Sequence, residues 1–401
     1  MSGPLMGVRV LDIGTLIAGP FAASIMADFG AEVIKVEQPG AGDPLRHGDR
    51  GRGEGANGLG LHWLVGARNK CSITLNLRAP EGQQLLLRLV RVADVLIENF
   101  TPGTLERWNL GPARLRAENP RLIVLRVSGF GQTGPYSRRP GYDRIALGYS
   151  GMMYPTGYPD RPPVRPAFAI ADFTTAMWGC LSVLMALYHR DAHHGPGQEI
   201  DLALYEPLLR ISEDLIPAYD RRGVIRERIG NRNPGFSPAG NFLTRDGRWL
   251  QVAAGGDGPW RRLATAIGRP ELADDPRYAT AAGRIAHADE LEALLAEWIG
   301  ARDYDEAFAI LDQAGVPVGG IYTAADIVND PHFLARENII SVEHPALGSV
   351  KMPGIVPRFS QTPGEVLWPG EELGAHNESV YRDVLGLDAE AIAALRERGV
   401  I

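Results

Sequence analysis

Cysteine is scarce in this chain. Cys71 and Cys180 are the only two among 401 residues. Neither lies in a CxxC pair or beside a histidine, so a disulfide framework, a thiolate zinc site and a cysteine nucleophile are set aside, and a reducing cytoplasm fits. Long apolar runs are also lacking. The longest, around Met177 to Tyr188, is shorter than the roughly 20 residues that a bilayer core requires, and MSGPLMGVRVLDIG lacks a signal-peptide layout. No excess of positive charge exists either: the net charge is −7 with no dense Lys/Arg cluster, which excludes a phosphate-backbone track and hence nucleic acid as a partner. GxGxxG, P-loop and GxSxG motifs are absent, which weighs against dinucleotide redox, nucleotide-phosphate and serine-hydrolase chemistry. His189, His193 and His194 stand in a polar stretch past a helix end without ligand spacing, so no metal is expected.

What is present suits a globular enzyme: 45% hydrophobic and 22% charged residues over a length that allows two or three domains. GVRVLDI (7–13) reads as a buried strand, Pro20 to Phe29 as a helix ending at Gly30, and AEVIKVE (31–37) as the next strand. That βαβ run implies a parallel sheet with right-handed crossovers. The alternation continues with strands at 72–77, 94–100, 122–130 and 198–204, a helix at 80–92 and another after Asp172. The fold class is therefore α/β, with a Rossmann-like first half. From about 223 the texture changes to a Pro-, Gly- and Asn-rich loop (230–242), a hairpin turning at Asp246-Gly247, and helices at 290–299 and 305–315. The expected division is a large domain over 1–224, a smaller α+β domain over 225–325, and a segment 326–401 that returns to the large domain.

Two features bear on chemistry. GTLIAGP (14–20) joins the first strand to its helix, and in an open parallel sheet ligands gather at such carboxyl ends; spacing alone favours a plain tight turn. AFAIADFTTAMWGC (167–180) holds a single charge, Asp172, in an apolar setting. A desolvated carboxylate is costly unless something compensates it. Asp172 either caps the following helix or serves as a nucleophile, and a helix N-terminus would lower its pKa and keep it ionised in both roles.

The runs VRVLDIGTLIAGPFAASIMADFGAEVIKVEQPGAGDPLR, RNKCSITLNL, ADVLIENFTPGTLERWNLG, VSGFGQTGPYSRRPGYD, PPVRPAFAIADFTTAMWG and GPGQEIDLALYE resemble, in order and spacing, the class III CoA-transferases, also called the CaiB/BaiF family. DDPRYATAAGRIAH and AGVPVGGIYTAADIVNDPHF extend the likeness into the C-terminal half, so it spans nearly the whole chain. The resemblance implies a Rossmann-like large domain, a small domain, and two chains interlocked as a homodimer. It places the family's nucleophilic aspartate on Asp172, with acyl-CoA and a carboxylic acid as substrates and no tightly bound cofactor. Of the CoA contacts it implies, Ile17 and Ala18 offer backbone groups, and Leu75 to Arg78 line the adenine and phosphate end. Asn99, Phe100 and Thr101 flank the pantetheine, Arg107 pairs with phosphate, and Arg139 to Tyr142 flank the thiol, with Asp143 a second polar group. Gln38 stands where many relatives carry arginine, and Arg46 is the expected compensation. The glycine tetrad of formyl-CoA transferases is reduced here to Gly235 and Gly240, which excludes formyl transfer to oxalate. Arg46, Arg50, Arg52 and Arg165 leave room for a dicarboxylate such as succinate. The rival readings are an α-methylacyl-CoA racemase, whose histidine is replaced by Tyr142, and a non-catalytic CoA-binding protein.

Overall fold

The computed structural model describes residues 3–47 and 60–401. Of the strands of the first two hundred residues, all but the last are buried on both faces, a pattern that a sheet covered by helices on both sides produces. Six of them form one parallel sheet: β1 (Arg9–Asp12), β2 (Glu32–Glu37), β3 (Lys70–Thr74), β4 (Val95–Glu98), β5 (Ile123–Ser128) and β6 (Glu199–Ala203), in the order β3-β2-β1-β4-β5-β6. Connecting helices are α1 (Ala18–Asp28), α2 (Leu61–Gly66), α3 (Pro80–Val90), α4 (Thr104–Arg107), α5 (Pro112–Glu118), α6 (Asp143–Tyr149) and α7 (Ile170–Ala192). The mixed α/β class expected from sequence is the one observed. The strand order reverses direction between β1 and β4, and the crevice beyond the carboxyl ends of those two strands is where a doubly wound sheet binds ligands.

The helix α7 is longer than its apolar stretch suggests. It runs for 23 residues with a mean hydropathy of 1.5 over its best window, long and apolar enough to cross a membrane by length and composition. Its small residues settle where it lies: Ala171, Thr175, Ala176, Gly179, Cys180 and Val183 are buried, and a Cβ on Gly179 would come within 2.9 Å of Leu125 on β5. Phe173 meets Phe21 of α1 edge-to-face at 4.8 Å, so the first turns of α1 and α7 are joined through an aromatic pair.

Two compact units divide the chain. One comprises Met1–Met152, Arg165–Pro217 and Pro331–Ile401; the other comprises Met153–Val164 and Ala218–Asp330. The second unit takes an early segment, 153–164, that no composition shift announces. Its core is built from Trp260, Leu263, Leu291, Leu295 and Leu311 under a three-stranded antiparallel sheet of Ala239–Leu243, Trp249–Ala253 and Val318–Gly320. The hairpin turns through Asp246-Gly247, with Gly247 at a φ of 81°. Its first strand begins inside the stretch that reads as loop, because Ala239 to Phe242 pair with Leu250 to Ala253.

Candidate active site

The crevice at the β1/β4 switch point is a cavity of about 260 Å³. Its floor is the turn from Gly14 to Ala18, whose backbone is held by side chains from several strands. Asn99, just past β4, accepts the Thr15 N–H at 2.8 Å and donates to the Thr15 carbonyl at 2.7 Å. Asp12 at the end of β1 accepts the Gly14 N–H at 3.1 Å, and Lys35 of β2 donates to the Gly14 carbonyl. Asp43 accepts the Leu16 N–H on both carboxylate oxygens at 3.2 Å, and Leu16 sits at a φ of 63°. Beyond it, Ile17 and Ala18 open α1 without a side-chain cap and line the cavity.

Beneath the turn lies a buried ionic cluster. Lys70 contacts Asp12 at 2.8 Å, and Lys35 stands 3.5 Å from Asp12 and 3.2 Å from Asp43. Burial alone would raise the pKa of Asp12, but the two ammonium groups outweigh it and hold the carboxyl below its ordinary value. Burial works against Lys35 as well, yet Asp12, Asp43 and Glu37 together keep its pKa above the usual one. For Lys70 burial prevails and its pKa falls.

One wall of the cavity is the first turn of α7. Asp172 is not the cap of that helix: Ala169 occupies the N-cap position, and Asp172 falls inside the first turn. The free N–H of Ala171 is taken by the Asp143 carboxylate at 2.8 Å. Among the described residues the Asp172 carboxylate has no hydrogen-bond partner and no cation. Burial, and then the negative charge of Asp143, push its pKa up to about 7. The expected depression by the helix terminus is therefore reversed: burial first, and the Asp143 carboxylate second, raise the pKa instead. Asp143 reaches this position because β5 and the segment before α6 come into backbone contact: a Cβ on Gly129 would lie 2.6 Å from the Cα of Gly141.

Most of the residues expected from sequence converge here. Ile17, Ala18, Asn99, Phe100, Thr101, Arg139, Tyr142 and Asp172 line the same cavity, although the amide of Asn99 is spent on the turn and Arg139 stacks on Tyr136 at 3.6 Å. A second cavity of about 120 Å³ shares Thr15 and Phe100 with the first and is lined by Leu75, Arg78, Gln38 and Trp108. Phe100 and Trp108 meet edge-to-face between the two at 5.2 Å. Arg107 is exposed on α4, donates to Thr104 at 2.8 Å and lines neither cavity.

Arg46 is a correction. Its guanidinium grips Glu37 at 2.7 and 2.8 Å, also donates to Ser72 and the Glu371 carbonyl, and lies 3.8 Å over Trp63. Buried with four of its five N–H donors on protein acceptors, it is committed to Glu37 rather than to a phosphate. Arg50 and Arg52 lie outside the described residues. Arg165 is half-buried, and among the described residues its Nε has no hydrogen-bond partner. Sequence reasoning missed Asp12 and Lys35, whose signal was a charge inside an apolar strand in VRVLDIG and AEVIKVE, and Asp43, which lies in a loop and gave no such signal. It also missed Ser128, a buried hydroxyl at the end of β5 beside the cavity.

Comparison with known proteins points the same way. The chain is 48% identical over 398 residues to a succinyl-CoA–D-citramalate CoA-transferase of Chloroflexus aurantiacus, covering 99% of this chain and 98% of that one. It is 44% identical to the alpha subunit of a succinyl-CoA–L-malate CoA-transferase of Chloroflexus aurantiacus, over 99% and 92% of the two chains. A crystal structure of a CaiB/BaiF family protein from Brucella suis superposes with a TM-score of 0.85 at 35% identity, covering 96% of this chain and all of that one. The profile of CoA-transferase family III matches residues 5–377, and the chain belongs to that family.

Proposed function

We propose that this enzyme moves coenzyme A from a dicarboxylyl-CoA such as succinyl-CoA to a carboxylic acid acceptor, with Asp172 as the covalent carrier. The observation that carries the reading is an unpartnered carboxylate on the wall of the switch-point cavity. A carboxylate without partners keeps its lone pairs available, and one poised near neutral pH is both ionised in part and basic enough to attack. An Oδ of Asp172 attacks the thioester carbonyl; the C–S bond breaks, CoA leaves as thiolate, and a mixed anhydride forms. The thiolate then attacks the aspartyl carbonyl, releases the donor acid and leaves an aspartyl-CoA thioester. An acceptor carboxylate attacks that thioester and expels the thiolate again. The thiolate takes the new acyl group and frees Asp172. One thioester is consumed and another is made, so the overall exchange is close to isoenergetic and needs no ATP.

The second cavity suits the nucleotide end of CoA. Its exposed Arg78 is free to meet phosphate, Leu75 and Trp108 offer apolar surface, and Phe100 marks the passage toward Asp172. The dicarboxylate preference is supported by the named relatives. An interlocked homodimer is part of this reading. It is supported by the exposed apolar stripe Met177, Leu181, Leu184, Met185 and Tyr188 along α7, which a second chain would cover. Racemisation needs two acid–base groups, and among the described residues lining the cavity no histidine accompanies Asp172. A matrix of acyl-CoA donors and free acids, read by mass spectrometry, tests the function. Wild-type protein should exchange acids with succinyl-CoA and form a hydroxylamine-sensitive CoA adduct on the Asp172 peptide. Asp172→Ala should lower exchange by at least about a thousandfold; exchange at the native rate in that variant would overturn the reading.

A further inference from the structure

The turn under Asp172 contains one residue in a conformation that its side chain disfavours. Leu16, at a φ of 63°, occupies the left-handed region that glycine adopts freely and that costs a leucine free energy. Such a conformation persists only where the surroundings over-determine it. Here the surroundings form a chain of contacts. Arg46 and Ser72 hold the Glu37 carboxylate, with Ser72 donating at 2.7 Å. Glu37 accepts the Asp43 N–H at 2.9 Å, and Asp43 also accepts the Leu45 N–H at 2.9 Å. Lys35 fixes the Asp43 carboxylate electrostatically at 3.2 Å, and that carboxylate receives the Leu16 N–H on both oxygens. Residue 16 is where the chain bends from β1 into α1, so its φ decides where the uncapped groups of Ile17 and Ala18 point.

We propose that Asp43 is a positioning residue for CoA transfer: it clamps Leu16 in the left-handed region and so aims the N-terminus of α1 into the cavity that Asp172 lines. Asp43 also borders the second cavity, but its part in this scheme is played through the backbone of the turn, and Arg46, which lines neither cavity, acts through Glu37. The arginine that could have met a phosphate anchors the clamp instead.

A double-mutant cycle between positions 43 and 16 tests this, because a glycine at position 16 holds the same φ unaided. Turnover per folded molecule is measured with succinyl-CoA and its best acceptor, the folded fraction being taken from circular dichroism. With leucine at position 16, Asp43→Ala should cost about five- to thirtyfold, the population penalty of a non-glycine residue in that region. In the Leu16→Gly background the same change should cost no more than about threefold, whatever Leu16→Gly does alone. Asp43→Asn, which keeps an acceptor for the Leu16 N–H, should fall between and serves if Asp43→Ala fails to fold. Additive losses in the cycle, or wild-type turnover in folded Asp43→Ala, overturn the proposal. The inference rests on Asp172 being the covalent centre, so Asp172→Ala is run alongside. Exchange that survives there sinks the parent reading, whereas exchange lost there but retained in Asp43→Ala sinks the clamp alone.

Discussion

Two aspartates a few residues from the same cavity have opposite fates. Asp12 is fully buried, yet two lysines and a backbone N–H compensate it, and its carboxyl stays below the ordinary pKa. Asp172 is less buried, but among the described residues nothing pairs with it, and its pKa climbs to about 7. Glu98 shows that the climb alone is not the mark of a site. Burial pushes Glu98 to about 7 too, although Arg126 lies 2.8 Å away and the Phe100 N–H donates to it at 2.7 Å. What separates Asp172 is the missing partner. A charge whose desolvation is matched by fixed counter-charges builds structure; one left unmatched beside a cavity is kept at a cost in stability and is free to react.

The contrast is most easily broken at Asp12. Asp12→Asn should destabilise the large unit by about 3–5 kcal/mol in urea melts, because Lys70 loses its carboxylate while remaining buried; a loss below about 1 kcal/mol would mean that the cluster carries little of the fold. The next effect is on activity. Ionised Asp172 is the attacking form, so kcat/KM should rise about tenfold per pH unit below 7 and level off above it. A profile flat from pH 5 to 8 contradicts that. Next come the two arginines. Arg78→Ala should raise KM for succinyl-CoA about tenfold with kcat little changed, since a phosphate contact is made equally in ground and transition states. Arg46→Ala should instead lower stability. Equal rises in KM for both would return Arg46 to the phosphate site. The last effect is on the stability of Asp172→Asn. The folded pKa of Asp172 lies above the unfolded value of about 3.9, so between about pH 4 and 7 the folded state holds the extra proton and this group's contribution to stability falls as pH rises. Asp172→Asn should therefore be more stable than wild type at pH 8, by at most about 4 kcal/mol, and not at pH 4.

Much of this was legible from sequence. The parallel sheet could be read because its strands are short apolar runs separated by helices with clear ends, and nearly every strand lies within two residues of its expected place. The short helices α2, α4, α5 and α6 were not visible, since four to seven residues give no periodicity. Asp172 could be read because a lone charge in an apolar stretch stands out. That it does not cap the helix could not be read, because Ala169 takes the cap and Asp143, 29 residues earlier in sequence, takes the Ala171 N–H beside the Gly129–Gly141 contact. Arg46 was misread for a related reason. Its partner Glu37 closes β2, nine residues earlier, and only the three-dimensional pairing shows that the guanidinium is already engaged. Sequence marks where charge is out of place; the fold decides which charges have company.

The ionic cluster also gives the protein a chemical gauge of its own integrity. The chain contains three lysines in all. Lys35 and Lys70 are sealed beneath the turn, and only Lys351 is exposed. An amine-reactive reagent meeting the native molecule should acylate one lysine side chain and leave two untouched. Delayed modification of that hidden pair would time the opening of the parallel sheet, and ligand that slows it would reveal how firmly an occupied crevice closes the floor beneath it.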